Sequence, residues 1–277
     1  MDARLQRRIQ RYGWDKASAY YDRFWERQLT PARLRLLDLA APGSGERVLD
    51  LACGTGAVTF PAAEAAGPDG WVVGTDLSER MIRSVRQEAV KRGLAHVEFK
   101  RQDAERIEFP DASFDLVLCS LGLMYVADPL ESLREMKRVL KPGGRAVASV
   151  WGARKNCGWA EIFPIVDARV ESEVCPLFFR LGGGKALHEA FAAAGFGSIQ
   201  AERLSTILEY DAAEGAIGAA FAGGPVALAY SRFDESTRQS AHAEYLASIE
   251  RFRSGSGFRI PGEFVICRGS NGGTRPL

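Results

Sequence analysis

Residues 46–56 read Glu46-Arg47-Val48-Leu49-Asp50-Leu51-Ala52-Cys53-Gly54-Thr55-Gly56. A short apolar run carrying one acid meets two glycines, which predicts a buried β-strand entering a tight turn. A helix is expected to open beyond it at Ala57-Val58-Thr59. In an open α/β sheet, ligands bind just outside the carboxyl ends of the strands. Glycines there leave no Cβ to hold a ligand off the backbone, and the first N–H groups of the helix are unpaired. Gly54 and Gly56 are therefore read as part of a cofactor site. The plainer alternatives are a tight turn without a ligand, and a turn-capping role for Asp50.

The dinucleotide fingerprint is a strand, then G-x-G-x-x-G, then a helix. Here Thr59 stands in the third glycine position, and Asp50 precedes the turn, where a pyrophosphate would be repelled. A zwitterion with a free amino group tolerates that acid, which points to S-adenosylmethionine (SAM). The stretch DLACGTG, Asp50 to Gly56, closely resembles motif I of the class I SAM-dependent methyltransferases. Further segments follow in the family's order. Val72-Val73-Gly74-Thr75-Asp76-Leu77-Ser78 resembles its second strand with an acid at the end. Gln102-Asp103-Ala104-Glu105 resembles its adenine-contacting segment. Ser113 to Ser120 and Leu140 to Arg145 resemble its fourth strand and the turn into its fifth. Within the family, VADPLESLREMKRVLKPGGR (126–145) is most similar to the C-methyltransferases of ubiquinone and menaquinone biosynthesis (UbiE-like). The likeness runs well from about Arg47 to Val150 and loosely elsewhere.

The resemblance implies roles for particular residues. Asp50 lies near the amino group of the methionine moiety, beside Ala52, Gly54 and Gly56. Asp76 follows the glycine turn by roughly 20 residues, as a ribose-binding acid does. Leu77 and Met81 pack beside the adenine, Asp103 accepts from its amino group, and the backbone of Ala104 meets the ring edge. Ordinary helix–sheet packing is the alternative for Met81, and capping of a short helix for Asp103. Ser120 and Leu121 lie under the sulfonium. Tyr20, with Trp14 and Tyr21, covers the cofactor from an amino-terminal helix, where an aromatic face steadies a cation. The same rings equally serve to glue that helix down. The segment Cys119-Ser120-Leu121-Gly122 lacks the [DN]-P-P-[FY] motif of enzymes that methylate exocyclic amines of bases. Candidates for a catalytic base, should one be needed, are Tyr125, His188, Glu26 and Glu161.

Composition narrows the field. The chain has 277 residues, 46% hydrophobic and 26% charged, with a formal net charge of +1. That charge leaves no excess to neutralise a phosphate backbone, so nucleic acid is a poor partner and a small molecule a better one. The five cysteines are scattered and the three histidines far apart, which disfavours a disulfide framework and a metal site. No apolar segment follows the arginine-rich start, and no run reaches the ~20 apolar residues of a membrane span. A soluble, cytoplasmic protein is expected.

Strands are expected near 47–51, 71–75, 97–101, 114–119 and 145–151, with helices near 57–66, 78–92, 130–140 and 185–194. This alternation predicts an α/β fold. The resemblance makes it a Rossmann-like, seven-stranded sheet whose last strand is antiparallel. Residues 1–45 read as an N-terminal helical lid, with Thr30 and Pro31 starting a second helix. Residues 46–151 read as the cofactor-binding core, continued at 184–210 and 258–268. Residues 152–183 and 211–257 read as cap insertions, the latter helical over 211–253, and 269–277 as a disordered tail. Trp159, Phe163, Phe178, Phe179, Phe221, Tyr230 and Phe233 fall in the cap, and Trp151 ends the fifth strand. If some face inward, the pocket suits a lipophilic acceptor. Gly182-Gly183-Gly184-Lys185 is not a phosphate loop, because Ala186 stands where Ser or Thr is required.

The resemblance thus implies a SAM-dependent methyltransferase acting on a small lipophilic or aromatic acceptor, carbon slightly favoured over oxygen. A SAM-binding regulatory protein without activity and a NAD-dependent oxidoreductase are the alternatives.

Overall fold

A computed structural model describes residues 3–170, 175 and 177–272. In chain order the elements begin with helices α1 (Ala3–Ala17) and α2 (Tyr21–Ala40). Then come β1 (Arg47–Leu51), α3 (Thr59–Ala66), β2 (Trp71–Asp76), α4 (Glu79–Arg92) and β3 (Val97–Arg101). Next are β4 (Phe114–Ser120), α5 (Pro129–Val139), β5 (Leu140–Trp151), α6 (Ile162–Asp167), α7 (Ala186–Ala193) and β6 (Gly197–Tyr210). The chain closes with α8 (Ala213–Ile217), α9 (Ala227–Tyr230), α10 (Glu235–Ile249), β7 (Arg253–Ser254) and β8 (Gly257–Ser270).

The strands order as β3-β2-β1-β4-β5-β8-β6. The first five pair in parallel, and β8 runs antiparallel to both β5 and β6. The two-residue β7 adds a small hairpin to β8. Parallel strands covered on both faces need apolar residues in both registers, and β1 is buried throughout after Arg47. Leu49 and Leu51 join a core with Leu133 and Met136 of α5 and Phe191 of α7. Val48, Leu116 and Leu118 join the opposite core with Leu36 of α2 and Ala62 of α3. Each of the larger side chains contributes about 1.5–3 kcal/mol by leaving water. Strand order reverses between β1 and β4, so the crevice at their carboxyl ends is the natural ligand site of this sheet.

Caps set several helix starts. Ser78 Oγ accepts from the Met81 N–H at 3.1 Å, and Asp128 accepts from Leu130 and Glu131 N–H at 3.0 and 3.1 Å. The expected start at Thr30-Pro31 is corrected: α2 runs unbroken through Pro31. The Thr30 hydroxyl donates back to the Glu26 carbonyl at 2.7 Å instead of capping. Leu29, Ala32, Leu36 and Leu39 bury one continuous face, which outweighs the bond that proline forfeits. The segment 211–253 is not one helix. It breaks at Gly223-Gly224-Pro225 and again before Asp234, which caps α10 by accepting from Thr237 N–H at 2.8 Å.

Strand β8 carries through Gly269 and Ser270, two residues into the segment expected to be disordered. Asn271 continues the order: its backbone N–H donates to Gly144 O at 2.8 Å and its side-chain amide to Leu140 O at 2.9 Å. Residues 273–277 of the expected tail lie outside the described residues. Among the described residues, no helix is long and apolar enough to cross a membrane, and no His/Cys/Asp/Glu group is placed to hold a metal ion.

Candidate functional site

The turn after β1 takes the left-handed backbone at Ala52 (φ 54°), Gly54 (φ 54°) and Gly56 (φ 88°). The two glycines serve different ends. A Cβ on Gly56 would sit 2.5 Å from Phe60 Cε2 and 2.7 Å from Val85 Cγ2, so Gly56 lets α3 and α4 close beneath the turn. A Cβ on Gly54 would meet nothing within 4 Å. Gly54 faces open space, and that space is the cavity. Ala52 holds a conformation that costs a residue with a Cβ about 1–2 kcal/mol, as does Leu121 (φ 58°) on the facing loop. Strain of this kind gathers where a surface is shaped for a ligand.

Two acids stand at the turn. Asp76 ends β2; its Oδ2 accepts from Gly54 N–H at 3.0 Å and its Oδ1 from Ser78 N–H at 2.8 Å. Burial pushes its pKa up to about 6 against these backbone bonds, and nearby Asp15 adds to the rise. Asp50 is 1% exposed. Its Oδ2 accepts from the Thr59 hydroxyl at 2.6 Å, while Oδ1 has no partner. Burial pushes it up to about 7, the Thr59 bond opposes this, and Asp76 adds to it. A buried carboxylate oxygen without a donor is costly, which is the penalty that raises the Asp50 pKa.

The cavity encloses about 1020 Å³ of empty space, its open mouth included. That is the scale of a small-molecule site (~300–1,000 Å³). Of the residues read from the sequence, Ala52, Gly54, Asp76, Leu77, Met81, Asp103, Ala104, Ser120 and Tyr125 line it. Asp50 lines an adjoining lobe of about 510 Å³ that shares Ala52, Gly54 and Ser120, and Glu26 borders that same lobe. Gly56 lies behind the wall, packed on Phe60. Tyr20 does not line either lobe; it is 46% exposed at the start of α2, and its neighbour Tyr21 faces inward. One residue is about 100° of helix rotation, which sequence spacing alone did not resolve. His188 lines neither lobe from its place on α7. Glu161 borders a separate cleft beside β6 and β8, paired with Arg154 at 3.5 Å.

Helix α1 roofs the cavity with polar anchors that carried no sequence signal. Arg7 Nε pairs with Asp103 Oδ2 at 2.8 Å and Glu105 Oε2 at 3.0 Å. Buried Gln6 donates to the carbonyls of Tyr125 and Val126, both at 3.3 Å. Asp15 accepts from the Ser78 hydroxyl at 2.6 Å and from Arg80 N–H at 3.1 Å. Glu105 in turn accepts from Asp128 N–H at 2.8 Å, so the roof, the segment after β3 and the start of α5 form one network.

Beyond Ser120 the wall is aromatic. Trp14 meets Tyr21 and Tyr125 edge-on at 5.6 and 5.0 Å. Tyr125 meets Phe178 at 5.5 Å, and Trp159 meets Phe178 at 5.7 Å and Trp151 at 4.8 Å. Burial holds the Tyr21 and Tyr125 phenols well above their ordinary range, so both stay neutral. Phe221, Tyr230 and Phe233 pack among themselves and with His242 and Tyr245 within 221–245. Trp25 also lines the chamber and donates its Nε1–H to Ala219 O at 3.2 Å.

Comparison with known proteins places this geometry. Residues 42–194, more than half of the chain, match a family model described as a methyltransferase domain. The chain is 42% identical over 132 residues to aklanonic acid methyltransferase DauC of Streptomyces sp. (strain C5), covering 48% of this chain and 60% of that protein. It is 40% identical over 132 residues to nocamycin O-methyltransferase of Saccharothrix syringae, covering 48% and 47%. It is 39% identical over 132 residues to demethylmenaquinone methyltransferase of Listeria monocytogenes, covering 47% and 55%. The chain thus spans about half the length of these curated relatives. In fold it resembles phosphoethanolamine N-methyltransferase 2 of Haemonchus contortus, solved in complex with S-adenosyl-L-methionine. That likeness has a TM-score of 0.61 at 18% identity, over 94% of this chain and 57% of that one. The sheet order, the antiparallel β8 and the N-terminal helices are those of the class I methyltransferase fold. The matched residues carry the strand, glycine turn and acids that floor the cavity, and the chain belongs to the methyltransferase-domain family.

Proposed function

We propose that the chain is a SAM-dependent methyltransferase acting on a small, apolar, aromatic acceptor. The observation that carries the cofactor is the unpartnered Asp50 Oδ1, buried beside a glycine whose missing Cβ opens on the cavity. An ammonium group satisfies that oxygen; a pyrophosphate does not. Asp50 would hold the amino group, Asp76 the ribose hydroxyls, and Asp103 with Ala104 the adenine edge. Leu77 and Met81 would flank the ring. When bound, SAM supplies a methyl group already activated by a positive sulfur. The chain's own residues then have to align and dry the site, a contribution that reaches effective molarities of ~10⁵ M or more. Tyr21, Tyr125 and Trp14 offer neutral rings that steady a cation and exclude water. Trp151, Trp159 and Phe178 offer flat apolar walls to the acceptor, which supports a lipophilic aromatic substrate.

Carbon is favoured as the nucleophile by the UbiE-like segment at 126–145, where the relatives include a demethylmenaquinone methyltransferase. Oxygen is the second reading, favoured by the likeness to a nocamycin O-methyltransferase. Of the catalytic candidates, Tyr125 stands on the main chamber wall, where its neutral phenol is suited to donate a hydrogen bond to the acceptor rather than to act as base, and Glu26 borders the adjoining lobe. Incubation of the protein with methyl-labelled SAM and fractionated cell extracts tests the activity, and the position of the label in the product by NMR separates carbon from oxygen. Binding of SAM without transfer to any fraction would favour the regulatory alternative.

A further inference from the structure

Thr59 stands where a dinucleotide-binding turn has its third glycine, and its side chain is used. It is fully buried, and its hydroxyl donates to Asp50 Oδ2 at 2.6 Å. The pair lies beneath the lobe that faces the proposed methionine end of the cofactor. The bond takes up one carboxylate oxygen and leaves the other bare. We propose that Thr59 is a positioning residue that engages Asp50 Oδ2 and so leaves Oδ1 as the acceptor for the ammonium group of a ligand in the adjoining lobe. This rests on the SAM reading and adds a residue to it.

The surroundings make the hydrogen bond matter. Asp50 is faced by Asp76 from β2, by the Cys53 and Cys119 thiols, and across the lobe by Tyr21, Asp22, Glu26 and Arg33 of α2. Burial pushes the Cys119 thiol up to about 12 and Cys53 well above its usual value, so neither carries charge. Arg33 is engaged with the Thr30 hydroxyl at 2.9 Å. Among the described residues, Thr59 is thus the side chain that donates to Asp50. Burial sets Asp50 near neutrality, so an arriving ammonium group binds with loss of the carboxyl proton whenever the pH is below about 7. Removing the Thr59 hydroxyl raises the carboxyl further and moves that boundary upward.

Calorimetry on the full chain between pH 6 and 8 tests this with two probes: S-adenosylhomocysteine, which carries the ammonium group, and methylthioadenosine, which lacks the aminoacyl arm. For wild type, S-adenosylhomocysteine affinity is expected to fall about tenfold per pH unit below about 7. Thr59→Val is expected to weaken it ~10-fold near pH 7 and shift the profile upward by about one unit, a tenfold change per unit. Thr59→Ser is expected to restore the wild-type profile. Methylthioadenosine affinity should be the same for all three, which a general packing defect would not allow. Equal loss for both probes, or a Thr59→Val profile that matches wild type, overturns the proposal. If wild type binds neither probe, it is the SAM reading itself that fails.

Discussion

The backbone N–H of Gly54 donates to Asp76 Oδ2 at 3.0 Å, which ties the turn after β1 to the end of β2. One carboxylate therefore shapes the glycine turn and lines the cavity. Asp76→Ala is expected to weaken S-adenosylhomocysteine binding by about 100-fold or more, since hydrogen bonds to charged groups are worth ~1.5–3 kcal/mol each. Asp76→Asn keeps one acceptor oxygen and should lose less. Calorimetric titration of both variants ranks them, and equal affinity in Asp76→Ala and wild type would remove the acid from the site.

The glycines at 54 and 56 invite a contrast. Gly56→Ala places a Cβ against Phe60 and Val85 at φ 88°, so thermal melting should show destabilisation of ~3 kcal/mol or more. Gly54→Ala meets open space and carries only backbone strain, about 1–2 kcal/mol. It should remain folded yet bind the cofactor poorly. A Gly54→Ala protein with full affinity would mean that the ligand does not approach this backbone.

Much of this was legible in the sequence. Buried parallel strands are short apolar runs, so β1, β2, β4 and β5 announce themselves, and Ser78 and Asp128 mark helix starts by local chemistry. What was missed depends on tertiary contacts. Pro31 inside α2 is held by a buried face that local rules do not weigh. Tyr21 rather than Tyr20 faces the cavity because the break after α1 sets the rotation of α2. Asn271 is ordered by three carbonyls 130 to 134 residues away. Arg7 finds Glu105 98 residues away, and Asp103 beside it, with no motif to betray it.

That last pairing carries its own prediction. Glu105 is nearly buried, and Arg7 is its cationic partner in the roof network. Arg7→Ala should loosen α1 while leaving the sheet intact. Hydrogen exchange is expected to quicken at amides 3–17 and to stay unchanged in α4. Unchanged protection of α1 would show that Gln6 and Asp15 suffice to hold the roof.

Asp50 links function to stability. Its folded pKa of about 7 lies above the ordinary 3.8. Between those values the folded protein holds a proton that the unfolded chain releases, so this group's contribution to stability falls as pH rises. Below about pH 4 both states are protonated and the penalty vanishes; above about pH 7 it is complete, up to ~4 kcal/mol. Asp50→Asn should therefore melt higher than wild type by a margin that is small at pH 4.5 and largest at pH 8, while losing cofactor affinity. A margin that does not grow with pH would show that Asp50 is not a strained acid.

The most direct test is a calorimetric titration of the wild-type protein at pH 7.5 with S-adenosylhomocysteine, paired with one using NADH. One micromolar site is expected for the first and none for the second. Silence with S-adenosylhomocysteine, or occupation of the site by NADH, contradicts the SAM reading.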